Sequence, residues 1–120
     1  MKLVVVEDSE LVLNQLLRLI SAQSGITVAG VGADEESAVA VISSTQPDAV
    51  ILDLSLLTGS GINVLRRIRA AGSTARVLIL TNHTTDTLRR KCETHGIDGF
   101  YDKSHQAPAC LDHLFSWVAR

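Results

Sequence analysis

A doubly wound α/β fold, one parallel sheet with helices on both faces, is what the sequence predicts. Three observations carry it. Short aliphatic runs alternate with longer amphipathic stretches five times over along the 120 residues. The runs at 3–6, 49–52 and 77–80 show no polar alternation, as expected of strands buried on both faces. Each of them then stops at a polar residue: Glu7-Asp8, Asp53 and Thr81 respectively. A fourth run, 99–102, is less apolar and ends at Lys103.

The elements follow in order. The first strand is read at 2–6, and a helix from about Ser9 to Gln23 places Leu13, Leu16, Leu17 and Ile20 on one face. The second strand is 28–31, set between Gly25 and Gly32. The second helix covers 35–44 with Ala38, Val39, Val41 and Ile42, and Pro47 forbids its extension. The third strand is 49–53, and a loop with Gly59 and Gly61 leads into a helix at 62–71. The fourth strand is 77–81; the helix after it, 84–95, carries little apolar matter beyond Leu88 and Cys92. The fifth strand is 98–102, and the last helix starts near Pro108, a good first-turn residue, and runs to Arg120. Right-handed crossovers leave few topologies, and the flavodoxin-like order 2-1-3-4-5 suits this length. That order makes the first and third strands neighbours, and ligands bind beyond the carboxyl ends of strands at this switch point. Glu7, Asp8 and Asp53 fall there.

A chain of this size is one domain, 1–120. A hydrophobic content of 46% with 20% charged residues opposes disorder. The net charge of −2 gives no pull toward nucleic acid or anionic lipid. No run approaches the roughly 20 apolar residues that span a bilayer, and the first aliphatic run is too short for a signal-peptide core. The expected compartment is the cytoplasm, with Cys92 and Cys110 as reduced thiols. Three carboxylates, a hydroxyl and an ammonium at one sheet edge call for a divalent cation. They also suit phosphoryl transfer, where catalysis is mostly positioning and charge stabilisation.

These motifs, 4–8, 51–54, 80–81 and 99–103 in this order, resemble the receiver domain of bacterial two-component response regulators over the whole chain. The resemblance implies phosphorylation of Asp53 by a sensor histidine kinase, a phosphotransfer protein or a small acyl phosphate. Asp8, Asp53 and the backbone carbonyl of Ser55 would hold Mg²⁺, with Glu7 acting through water. Thr81 and Lys103 would bind the phosphoryl group, Phe100 would be the switch aromatic, and Ser55 and His83 would tune dephosphorylation. Such a chain is a phosphoacceptor, not an enzyme with an outside substrate. Its output would run to a downstream protein, or a second copy, through the fourth helix, fifth strand and fifth helix. The fourth helix presents Arg89, Arg90 and Lys91 to solvent, while on the fifth helix Leu111, Leu114, Phe115 and Val118 share one stripe with Trp117 at its border.

Departures from the family pattern are Leu57 and Ser104, where proline is frequent, and Asn82, where a small residue is usual. Without proline, a cis bond before Ser104 would cost about 2.5–4 kcal/mol, so trans is expected. Two alternatives stay open: the receiver of a larger DNA-binding regulator, and a small phosphohydrolase with Asp53 as nucleophile. Haloacid-dehalogenase-like phosphatases want a second Asp two residues on, where Ser55 stands. Asp8 also reads as a simple helix cap. Finally, Cys92 with His95 and Cys110 with His113 share helical i,i+3 spacing, which permits zinc if the last two helices meet, against the plainer reading of two buried thiols.

Overall fold

The structure is a computed structural model and describes residues 1–118; the expectation placed on Arg120 lies outside the described residues. The chain runs β1 (Lys2–Val6), α1 (Glu10–Ser21), β2 (Thr27–Gly32), α2 (Glu35–Thr45), β3 (Ala49–Leu52), α3 (Gly61–Ala70), β4 (Arg76–Thr81), α4 (Asp86–Thr94), β5 (Gly99–Asp102) and α5 (Ala107–Ser116). All neighbouring strands pair in parallel, in the order β2-β1-β3-β4-β5. The expected topology is therefore the observed one. Among the described residues, no helix is long and apolar enough to cross a membrane.

Local chemistry sets the helix starts. Ser9, Ser60 and Thr85 each accept a hydrogen bond from the amide three residues on, and Asp34 forms a reciprocal capping box with Ser37. The cap of α1 is thus Ser9, which leaves the Asp8 carboxylate outside the helix for other work. Pro108 lies in the first turn of α5, where its missing N–H costs nothing. At the end of α2, Gln46 turns left-handed at φ 48°, and Pro47 follows.

Strand pleating divides the core in two. Val4, Val6, Val50, Leu52, Val77, Ile79 and Phe100 face α2, α3 and α4. Leu3, Val5, Ala49, Ile51, Leu78 and Leu80 face α1 and α5. Burial on both faces holds for β1, β3 and β4 but not for β2. That strand is an edge, and Val28 and Val31 are 36% and 43% exposed.

The two faces also remove the zinc alternative. Cys92 of α4 is buried in the first cluster and Cys110 of α5 in the second, so the sheet lies between them. Both are free thiols, and burial pushes Cys92 up to about 11 and Cys110 up to about 12. The sign follows from linkage: the unfolded thiols lose protons near pH 9 while the folded ones keep them. Stability should therefore fall as pH rises from 9 toward 11, by up to about 1.4 kcal/mol per pH unit for each thiol. Urea unfolding at stepped pH checks this, and a thiol reagent at pH 8 should leave both cysteines of the folded chain unlabelled.

Candidate functional site

Four loops meet beyond the carboxyl ends of β1, β3, β4 and β5. Between them opens a cleft of 330 Å³, lined by Glu7, Asp8, Ser9, Val12, Asp53, Ser55, Asn82, His83 and Lys103. Glu7 and Asp53 lie buried at its floor, and Asp8 is exposed. One carboxylate oxygen from each of the three falls within 4.8 Å of the others, the only such group among the described residues. Hard oxygen donors in this arrangement fit Mg²⁺, which takes one or two carboxylates and keeps several waters.

Lys103 binds the floor together. Its Nζ lies 2.6 Å from Asp53 Oδ2 and 2.8 Å from Glu7 Oε1. Burial of the ammonium works against its charge, but the hydrogen bonds and charges of Asp53 and Glu7 outweigh this, and its pKa is raised. Glu7 moves upward as well, because its own burial outweighs Lys103 and the bond from the Ser9 amide. The two directions agree on one physical point. Two carboxylates share one ammonium and Asp8 adds a third acid at the rim, so the cluster is short of positive charge.

The remaining oxygen of Asp53, Oδ1, accepts the Ser55 amide at 3.1 Å, which fixes the carboxylate's orientation. The loop itself is pinned from α2. Glu35 Oε1 accepts the Ser60 amide at 3.1 Å, the Glu35 amide donates to the Thr58 carbonyl, and Arg67 pairs with Glu35 and Glu36. Gly61 opens α3 directly beneath the site. A Cβ there would collide with the Asp53 carbonyl oxygen and would sit 2.7 Å from Leu54 Cα, so α3 approaches β3 this closely only with glycine.

The structure gathers Glu7, Asp8, Asp53, Ser55, His83 and Lys103 at one cleft, as expected from the sequence. Thr81 and Phe100 do not line it. Thr81 is wholly buried, and its hydroxyl oxygen accepts the His83 amide at 3.2 Å, which leaves the hydroxyl proton free to donate. Phe100 is 6% exposed, already packed inward. Two departures from the family pattern meet: the Ser104 hydroxyl donates to Asn82 Oδ1 at 2.9 Å, bridging the β4–α4 and β5–α5 loops. The bond before Ser104 is trans, as expected, and Ser104, not being proline, keeps an amide N–H that donates to Asp102 Oδ1 at 2.8 Å. Ser9 and Val12 also line the cleft without having been read as site residues; only their position after Asp8 signals it.

The family model of the response regulator receiver domain matches residues 3–115. The chain belongs to that family. This receiver is 30% identical over 102 residues, 85% of its length, to the DNA-binding transcriptional activator DevR/DosR of Mycobacterium tuberculosis, and covers 47% of it. It is 35% identical over 85 residues, 71% of its length, to a protein-glutamate methylesterase/protein-glutamine glutaminase of Anaeromyxobacter dehalogenans, and covers 25% of it. Among solved structures, a LuxR-family response regulator of Aurantimonas superposes with a TM-score of 0.86 at 32% identity, covering 98% of this chain and 83% of that one. The receiver spans a quarter to about half the length of these curated relatives. It is a receiver domain of two-component signalling.

The close approach at Gly61 yields an expectation. Gly61→Ala should destabilise the receiver by about 1–3 kcal/mol, because the backbone on both sides of the contact must shift. Urea unfolding reads the loss, and an unchanged midpoint would show that α3 does not press on β3.

Proposed function

We propose that Asp53 is the phosphoacceptor of this receiver, and that its phosphorylation alters the α4–β5–α5 face for a protein target. The observation that supports this most is the Lys103 ammonium bridging Asp53 and Glu7 at the cleft floor, with Asp8 at the rim. Asp8, Asp53 and the Ser55 carbonyl would hold Mg²⁺, with Glu7 acting through water; bound there, the ion supplies charge that lets an anionic nucleophile meet an anionic donor. An Asp53 carboxylate oxygen attacks phosphorus while the bond to the donor breaks. The electron pair leaves on an imidazole nitrogen, from a histidine kinase or phosphotransfer protein, or on a carboxylate, from an acyl phosphate. Lys103 pairs with the phosphoryl charge, and the Thr81 hydroxyl donates its free proton to the phosphoryl group.

The phosphohydrolase alternative finds little support, since Ser55 stands where haloacid-dehalogenase-like phosphatases want a second Asp. The length of the curated relatives favours a second reading, in which the chain is the receiver part of a longer regulator whose output module obeys the same switch.

Acetyl phosphate or phosphoramidate with Mg²⁺ should label the chain at Asp53 alone. Asp53→Asn should abolish labelling, and EDTA should abolish it in the unaltered protein. Mass spectrometry that finds the Asn variant labelled to the same extent excludes the assignment. His83 is exposed at the cleft wall, where an attacking water must pass. His83→Ala should change the decay rate of the phosphorylated protein, read by phosphate release; an identical rate removes His83 from the mechanism.

A further inference from the structure

α4 is the most lightly anchored helix of the described chain. Cys92 is its one buried residue, against two to four in each other helix, and Leu88 is half-buried. The segment leading into it, 82–85, is exposed throughout. One further contact ties this helix to the sheet. The Arg89 guanidinium carbon stands 4.9 Å from the centroid of the Phe100 ring, and Nη2 reaches the Phe100 carbonyl oxygen at 3.5 Å, the outer limit of a hydrogen bond. Arg89 is exposed and the ring is not, so the guanidinium covers the ring on its solvent side.

The ring in turn lies beside the cleft's hidden hydroxyl. Phe100 pairs with Ile79, and Asp102 pairs with Thr81. Ile79 and Phe100 share the core cluster beneath α4, and Thr81, two residues beyond Ile79, presents the same face. Thr81 and Phe100 are therefore diagonal neighbours on adjoining strands. Phe100 thus stands between the end of β4, where the cleft opens, and the Arg89 side chain on the surface of α4.

We propose that Arg89 is a positioning residue that makes burial of the Phe100 ring and seating of α4 a single two-state element. The inference rests on the reading of Asp53 as phosphoacceptor and names the joint through which that site reaches its output surface. Arg89 touches no reacting atom. It is suited to the task because a cation over an aromatic face is attracted to the ring quadrupole, and a planar guanidinium stacks there while still facing water. Any displacement of the ring costs this contact, and any displacement of α4 costs it too.

Beryllofluoride with Mg²⁺ serves as the probe, read in two places. Fluorine NMR follows binding at Asp53, and amide resonances follow α4. Arg89→Met keeps the aliphatic stem and removes the charge. It should bind the probe within about fivefold of the unaltered protein, the scale of one cation–π contact, yet lose about half or more of the α4 shift. On a Phe100→Leu background the same substitution should take away nothing further. Arg89→Lys, which can return a cation to the ring, should retain more of the response than Met.

A full α4 response in Arg89→Met overturns the proposal. So does an equal loss on both backgrounds, which a merely structural role of the side chain would give, and so does a Lys variant no better than Met. Failure of the unaltered protein to bind the probe overturns the phosphoacceptor reading itself, and the inference falls with it.

Discussion

A single ammonium group joins the two buried acids on which the cleft is built. Lys103 leaves the end of β5 and reaches past β4 to carboxylates at the ends of β3 and β1. Two buried acids side by side are expensive, and a buried charge pair breaks even only when its geometry is good and its remaining lone pairs are satisfied. Both conditions hold here. The contacts are 2.6 and 2.8 Å, and the second oxygens of Asp53 and Glu7 accept the Ser55 and Ser9 amides. The arrangement remains unbalanced, with Asp8 a third acid at the rim. That shortage of positive charge is the physical reason a cation belongs in the cleft, and the same charges that attract it hold Asp53 in place.

Holding Asp53 is shared work. The strand delivers it to the cleft, but its backbone is clamped between the Val6 carbonyl, which accepts its amide, and Gly61 of α3, which fits beneath it for lack of a side chain. The following loop is held from α2 by Glu35, whose carboxylate is kept below its usual range first by the Ser60 amide and then by Arg67. Across the cleft, Asn82 and Ser104 supply a side-chain bridge where the family commonly has a small residue and a proline. A serine can do this because, unlike proline, it keeps an N–H for Asp102 while its hydroxyl remains available to Asn82.

The sheet and most of the site were legible in the sequence because both are written in runs. Non-alternating aliphatic segments located β1, β3 and β4, and the polar residue ending each run located the cleft. Edge strand β2 obeyed the pattern less well, since one side of it meets solvent. A zinc site shared by Cys92 with His95 and Cys110 with His113 is a different kind of question. Helical spacing says which side chains share a face of one helix, but not on which side of the sheet that helix packs, and the sheet separates them. The Thr81 hydroxyl was placed correctly at a strand end, yet its turn toward the His83 amide is a rotamer choice that spacing cannot record. Contacts such as Ser104 with Asn82 and Arg89 with Phe100 join loops and helices remote in sequence, where no periodicity applies.

Neighbouring residues of β5 illustrate how the same alternation sorts rigid from movable structure. Phe100 points to the α4 side and Tyr101 to the α5 side. Tyr101 finds a dense setting: its hydroxyl shares a 2.7 Å hydrogen bond with His113 Nδ1, His113 meets Trp117 edge-on, and Arg76 covers Trp117 at 4.9 Å. Gly99 makes room for this stack, because a Cβ there would press on the Tyr101 ring and lie 3.1 Å from His113 Nδ1. Beneath it Cys110, Leu111 and Leu114 hold α5 to the sheet. Displacing α5 would therefore cost several buried side chains, at roughly 1.5–3 kcal/mol for each large one exposed. Displacing α4 costs Cys92, half of Leu88 and the Arg89 contact. Of the two helices that flank β5, α4 gives up less buried surface on displacement than α5 does.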